Sequence, residues 1–398
     1  MNPHPMPSIR FLKESQLGED SLHSVLISLL RGLAAIEVAA AHLRAGFFPG
    51  LRTLENPALW YQALAFLTGF AHQAVVVFFL ISGWLVGGSL LNKLGQPHAI
   101  KAYAIDRVTR LWTVLIPTFV LILATGIVSG VIDPHTPDFS RANEYSASAL
   151  IGNLFGLQTI VVPEFGGNFP LWSLSNETWY YVMFPLLVMC VVAGSVARRA
   201  SAAVVLLLLG TLLPLDMVLY FTIWLLGAAF SRVRVECGAP LRALLLVALA
   251  IASVVFRLKG SNDDMVVASF PQDLLLSVLF LLFLSSTVNP LPANQRFVAP
   301  LRRVAVFFSN FSFTLYVVHI PLLGIMGYVG TTLFGRRQFA AESLTDLGIY
   351  LGMLVAVLVG AYGFYLLFEA RTYAVRRRMK DLLMAREDST PRSAPARH

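Results

Sequence analysis

Runs of about twenty residues with almost no charge recur along the whole chain, and no other feature restricts its fold as strongly. Windows long enough to cross a hydrocarbon layer of roughly 30 Å fall at about 24 to 43, 68 to 91, 111 to 131, 178 to 194, 241 to 258, 272 to 288, 304 to 330 and 345 to 369. Two shorter ones, about 200 to 213 and 216 to 231, flank Pro214-Leu215-Asp216, which reads as the turn of a tight helical hairpin. A backbone in lipid must satisfy its own hydrogen bonds, and within one segment only a helix does so. The expected fold is therefore an all-α integral membrane bundle of about ten transmembrane helices. The apolar piece 146 to 162 is interrupted by Gly152, Asn153 and Gly156 and reads as a surface or re-entrant helix. With 57% hydrophobic and 13% charged residues, no soluble catalytic domain is expected. Cys190 and Cys237 fit neither a disulfide framework nor a zinc site, so no metal is expected.

Charge then sets an orientation, because loops rich in Lys and Arg stay in the cytoplasm. With both termini inside, only Arg44, Arg52, Arg141, Arg257, Lys259, Arg336 and Arg337 of the 30 basic residues fall outside. The net charge of +8 is mostly this bias and calls for no nucleic acid. Residues 1–23 form an expected cytoplasmic N-terminal segment without a removable signal. Residues 24–370 form the membrane domain, and 371–398 a basic cytoplasmic tail, partly disordered towards "MAREDSTPRSAPARH".

Polar residues inside such windows are costly and mark sites. In the first span, Arg31 and His42 are eleven residues apart, about three turns plus 20°, so they share one stripe about 16 Å apart along the axis. Arg31 sits in the cytoplasmic half and His42 near the outer end; Glu37 projects elsewhere and has no obvious partner. Each alone also fits a membrane-surface role, the Arg snorkelling to lipid phosphates and the His lying among headgroups. The second span carries Ser82-Gly83 and Gly87-Gly88, small surfaces suited to close helix packing. Arg107 and Arg110 are neighbours on one helical face at the cytoplasmic mouth of the third span, where paired guanidiniums clamp a phosphate or simply anchor the topology. In "LWSLSNETWYYVMFP", Trp172, Trp179, Tyr180 and Tyr181 make an aromatic belt, but a belt needs no carboxylate, so Asn176 and Glu177 point to hydrogen bonding within the bundle. The ninth span, "SNFSFTLYVVHIPLL", puts Tyr316 and His319 at membrane depth before Pro321.

Five segments, "RGLAAIEVAAAHL", "FFLISGWLV", "IDRVTRLWTVLIP", "PLWSLSNETWYYVMFPLL" and "FSFTLYVVHIPL", resemble in content and order the signatures of acyltransferase family 3, the bacterial integral-membrane O-acyltransferases. The resemblance runs from residue 31 to about 322. It implies transfer of an acyl group, usually acetyl, from cytoplasmic acyl-CoA to a hydroxyl of a carbohydrate or glycolipid across a bacterial inner membrane. It makes His42 the favoured catalytic residue and associates Arg31, Arg107 and Arg110 with the acyl donor. Glu177 takes the acidic place of the WSLxxE segment. Val76 stands where many members carry an acid, so a role for that acid does not transfer.

On these residues, a neutral His42 imidazole serves as general base towards an acceptor hydroxyl, with Glu177 orienting it or stabilising the imidazolium. A covalent acyl-histidine intermediate fits equally well. Trp172, Ser173, Asn176, Tyr316 and His319 are candidates for acceptor binding. A continuous polar passage from the Arg31 end to His42 is expected to carry the pantetheine arm. The competing readings are a secondary transporter, disfavoured by the span count and the lack of polar groups around a midplane site, and an accessory subunit of polysaccharide export.

Overall fold

The computed structural model describes residues 7–15, 22–133, 135–136, 140, 142–259, 265–288 and 298–388. It is a helical bundle: α1 (Leu22–Phe47), α2 (Leu59–Leu67), α3 (Ala71–Ser82), α4 (Gly88–Lys93), α5 (Ala99–Val128), α6 (Ala147–Leu154), α7 (Leu171–Val192) and α8 (Val196–Leu212). There follow α9 (Leu215–Phe230), α10 (Ala239–Lys259), α11 (Phe270–Ser285), α12 (Val298–Asn310), α13 (Ser312–Phe334), α14 (Leu344–Leu367) and α15 (Thr372–Asp388). A two-stranded antiparallel ribbon, β1 (Ser8–Phe11) with β2 (Val233–Glu236), and an isolated bridge between Gln158 and Val162 add to the all-helical expectation among the described residues.

Each of the ten expected windows falls on helix. Among the described residues, six helical stretches are long and apolar enough to cross a membrane, and α9 and α11 are shorter apolar helices. The ninth window is divided. Phe311 leaves the helical conformation between α12 and α13, where the single span from 304 to 330 was expected. The segment 146 to 162 contains only the short α6, which Ser146 caps by accepting from the Ala149 N–H. The tail is helical through residue 388, α15 being polar where α14 is apolar. The remainder of the tail, residues 1–6 and 16–21, Arg141 and Arg296 lie outside the described residues.

Small residues decide which helices touch. The second span is α3, a π turn over Gly83–Gly87, and α4. A Cβ on Gly83 would stand 2.0 Å from the Trp224 carbonyl oxygen, and one on Gly227 would stand 2.1 Å from that of Leu80. The backbones of α3 and α9 therefore cross in direct contact, the close approach that the glycines were expected to serve. Gly32, next to Arg31, similarly lets Phe308 of α12 against α1. Glu37, whose partner was not apparent from sequence, accepts from the Phe70 N–H at 2.7 Å and so caps α3 from α1.

Gly83→Ala and Gly227→Ala are expected to destabilise the bundle by about 1–3 kcal/mol, as overpacking does, despite the roughly 1 kcal/mol that alanine gains in a helix. Gly210→Ala and Gly363→Ala, with open space around the added carbon, are expected to match or exceed wild type. Thermal unfolding of the detergent-purified variants, followed by loss of monodisperse protein, checks both pairs.

Candidate functional site

A cavity of about 400 Å³ lies among α1, α3, α5, α7, α12 and α13, and its wall carries Arg31, Arg107 and Arg110. Ser82, Ser173, Glu177 and Tyr316 also line it. Arg107 and Arg110 reach it from one face of α5, as their spacing of three requires. Each guanidinium lies over aromatic rings: Arg107 is 5.6 Å from the Tyr181 centroid and 5.9 Å from that of Tyr103, and Arg110 is 5.1 Å from that of Phe313.

The carboxylates are unevenly shared among these cations. Glu369, only 4% exposed, pairs with Arg110 and also accepts from the Thr314 N–H and from the Thr314 hydroxyl at 2.5 Å. Neither Arg31 nor Arg107 makes an ion pair among the described residues; Arg31 interacts at longer range with Glu177 and Glu369, and the Arg107 Nε is buried without a hydrogen-bond partner. A cation taken out of water without a counter-charge is costly, and an anionic ligand would remove the cost. The cavity is suited to phosphate.

His42 and His319 sit outside this cavity, with Tyr316 between. The Tyr316 ring lines the cavity on one side and lies 6.0 Å, centroid to centroid, from His319 on the other. Its hydroxyl is 2.6 Å from Ser173 Oγ, and both hydroxyls reach the Pro170 carbonyl. Ala35 and Val38, between Arg31 and His42 on α1, are buried in packing. The cavity ends at Tyr316 and Ser173, whose hydroxyls are satisfied by each other and by a carbonyl, and its lining does not include His42.

His42 Nδ1 lies 2.8 Å from His319 Nε2, with the rings nearly parallel. His319 Nδ1 is 2.7 Å from the Tyr316 carbonyl and 3.2 Å from that of Leu315. Carbonyls only accept, so Nδ1 of His319 carries its hydrogen and its Nε2 is the acceptor. His42 Nδ1–H must then donate to it, which leaves the basic lone pair of a neutral His42 on Nε2. Phe169 packs edge-on against the His42 ring at 4.8 Å.

This arrangement corrects the expected link between Glu177 and His42. Nδ1 of His42 is engaged by His319, whereas Glu177 Oε1 accepts from Ser82 Oγ at 2.6 Å and from the Tyr181 hydroxyl. Trp224 Nε1 donates to Ser82 Oγ in turn. Helical periodicity turns Glu177, four residues beyond Ser173, onto the cavity face of α7. Asn176 is buried and Trp172 packs against the surrounding core, and neither lines the cavity. Val76, at the position without the expected acid, is buried among apolar residues.

The family model described as an acyltransferase domain matches residues 25–366. The chain belongs to acyltransferase family 3. Comparison with curated proteins and with solved structures finds no match. The matched region contains every cavity-lining residue except Arg376, and both members of the histidine pair. Acyl transfer at a membrane is therefore the activity that this geometry has to explain.

Several residues in or beside the cavity escaped the sequence reading. Glu369 closes the tenth window and looks like an interface residue, Ser82 looks like a packing residue beside Gly83, and Arg376, which also lines the cavity, is one of three consecutive arginines. Glu369→Ala is expected to cost about 1–3 kcal/mol, because the buried Thr314 N–H and hydroxyl lose their acceptor while Arg110 keeps access to solvent. Equilibrium or thermal unfolding should put it well below the wild type; equal stability would mean that the Arg110 pair contributes nothing to the fold.

Proposed function

We propose that the chain is a membrane O-acyltransferase that moves an acetyl group from cytoplasmic acetyl-CoA to a hydroxyl of a carbohydrate or glycolipid, in a bacterial inner membrane with both termini cytoplasmic. The observation that carries the reading is the pair of cations without ion-pair partners, Arg31 and Arg107, in a cavity that stops one aromatic ring short of a hydrogen-bonded histidine pair. The cations suit the phosphates of CoA. Towards the far end the walls become the hydroxyls of Ser173 and Tyr316, which suit the uncharged pantetheine arm and thioester.

In this reading the acceptor hydroxyl gives its proton to His42 Nε2 as its oxygen attacks the thioester carbonyl carbon. The carbon–sulfur bond breaks, the thiolate leaves, and the imidazolium returns the proton to sulfur to release CoA. His319 takes the place that Glu177 was expected to fill: anchored through Nδ1–H to main-chain carbonyls, it presents a fixed acceptor to His42 Nδ1–H. Such a partner holds the tautomer and ring orientation without placing a full negative charge beside the imidazolium. Glu177 then acts on the donor side, balancing Arg31. Tyr316 moves aside, or meets the acyl group, where cavity and histidines adjoin.

The test uses purified protein in nanodiscs, radiolabelled acetyl-CoA and a panel of glycan acceptors. Wild type should form acetylated acceptor, and His42→Ala should abolish transfer while still binding CoA. His319→Ala should lower kcat by about 10²–10⁴, the range of general-base contributions, with little change in KM for the donor. Wild-type rates in His42→Ala would remove the base from the reading.

A further inference from the structure

We propose that α15 forms a wall of the donor site and that Arg376 on it binds a phosphate of the nucleotide end of acyl-CoA. This rests on the acyl-CoA reading above and extends it to a segment beyond the region that the family model matches.

The helix α15 is polar and turns away from the apolar α14 through Glu369–Arg371. A row of polar contacts then lays it along α5. Arg110 pairs with Glu369, and Thr113 Oγ1 meets Thr372 Oγ1 at 2.9 Å. Asp106 Oδ1 stands 2.7 Å from Lys380 and 3.4 Å from Arg376, and Lys101 Nζ donates to the Leu383 carbonyl at 2.9 Å. Positions 106, 110 and 113 follow the helical repeat, so one stripe of α5 carries the central contacts. The neighbouring Arg107 faces the cavity from the same turns.

The three consecutive arginines of α15 are not equivalent. Arg376 lines the cavity, whereas Arg377 and Arg378 are exposed and do not. At this mouth Arg107, Arg110, Arg376 and Lys380 face Asp106 and Glu369, which leaves two cations more than carboxylates. Burial lowers the pKa of Arg376 from its usual value, and although Asp106 opposes this, the repulsion of Arg107 and Arg110 adds to it. Positive charge crowded in this way is relieved by an anion of more than one charge. A diphosphate or phosphate monoester has that charge and the oxygens to accept from several guanidiniums.

Binding of CoA and of pantetheine to the full-length protein in nanodiscs, measured by equilibrium dialysis, tests the assignment. Arg376→Gln should weaken CoA binding about tenfold, as expected for one charge-assisted contact, and leave pantetheine binding unchanged; Arg376→Lys should recover part of the loss. Arg377→Gln and Arg378→Gln should bind CoA as wild type does. Unchanged CoA binding in a monodisperse Arg376→Gln protein overturns the proposal, as does an equal loss in all three Gln variants, which would reduce the effect to net charge. If wild type itself binds no CoA, the donor reading fails instead, so the two failures are distinguishable.

Discussion

A guanidinium drawn partly out of water persists only where something polar or aromatic meets it, and most of this fold is arranged around that constraint. Arg110 is met by Glu369, which also holds the Thr314 N–H at the start of α13. Arg107 is met by the faces of Tyr103 and Tyr181. Tyr181 donates to Glu177, Glu177 accepts from Ser82, and Ser82 lies beside the glycine contact of α3 with α9. The cation-lined cavity and the helix packing are therefore one network. Its two cations without ion pairs, Arg31 and Arg107, are what a phosphate-bearing ligand would complete.

Opposite the cavity the chemistry changes from charge to tautomer. The carbonyl of Tyr316 fixes a hydrogen on His319 Nδ1, and through the shared hydrogen bond this assigns Nε2 of His42 as its basic atom. Tyr316 contributes its main chain to this assignment, its ring to the boundary between the two compartments, and its hydroxyl to Ser173. One helical turn of α13 thus serves both sides of the barrier, and Asn168, whose amide donates to the Val317 carbonyl, ties that turn to the segment before α7. A single ring, that of Tyr316, stands between the cavity and the histidine pair.

The main features of this arrangement were legible in the chain. Apolar windows located the helices, because hydropathy and backbone self-satisfaction in lipid are local properties. The eleven-residue spacing put Arg31 and His42 on one stripe, and the spacing of three put Arg107 and Arg110 on one face. Spacing within one helix could not say which residue of another helix would meet it. Glu177 was the expected partner of His42 and His319 a candidate for acceptor binding; which of them meets His42 depended on how α7 and α13 stand beside α1. The break at Phe311 and the docking of α15 on α5 were equally out of reach.

Composition, periodicity and ordered motifs run along one dimension, and they were enough to specify a helical membrane protein of acyltransferase family 3, its principal cations and its candidate base. Three-dimensional packing was needed to show that His319 engages His42, that Glu177 lines the cation cavity, that Tyr316 stands between that cavity and the histidines, and that Arg376 joins Arg107 and Arg110. Those pairings join residues up to 277 positions apart. They follow from which helices approach closely enough to exchange a hydrogen bond, a property of the assembled bundle that no single span contains.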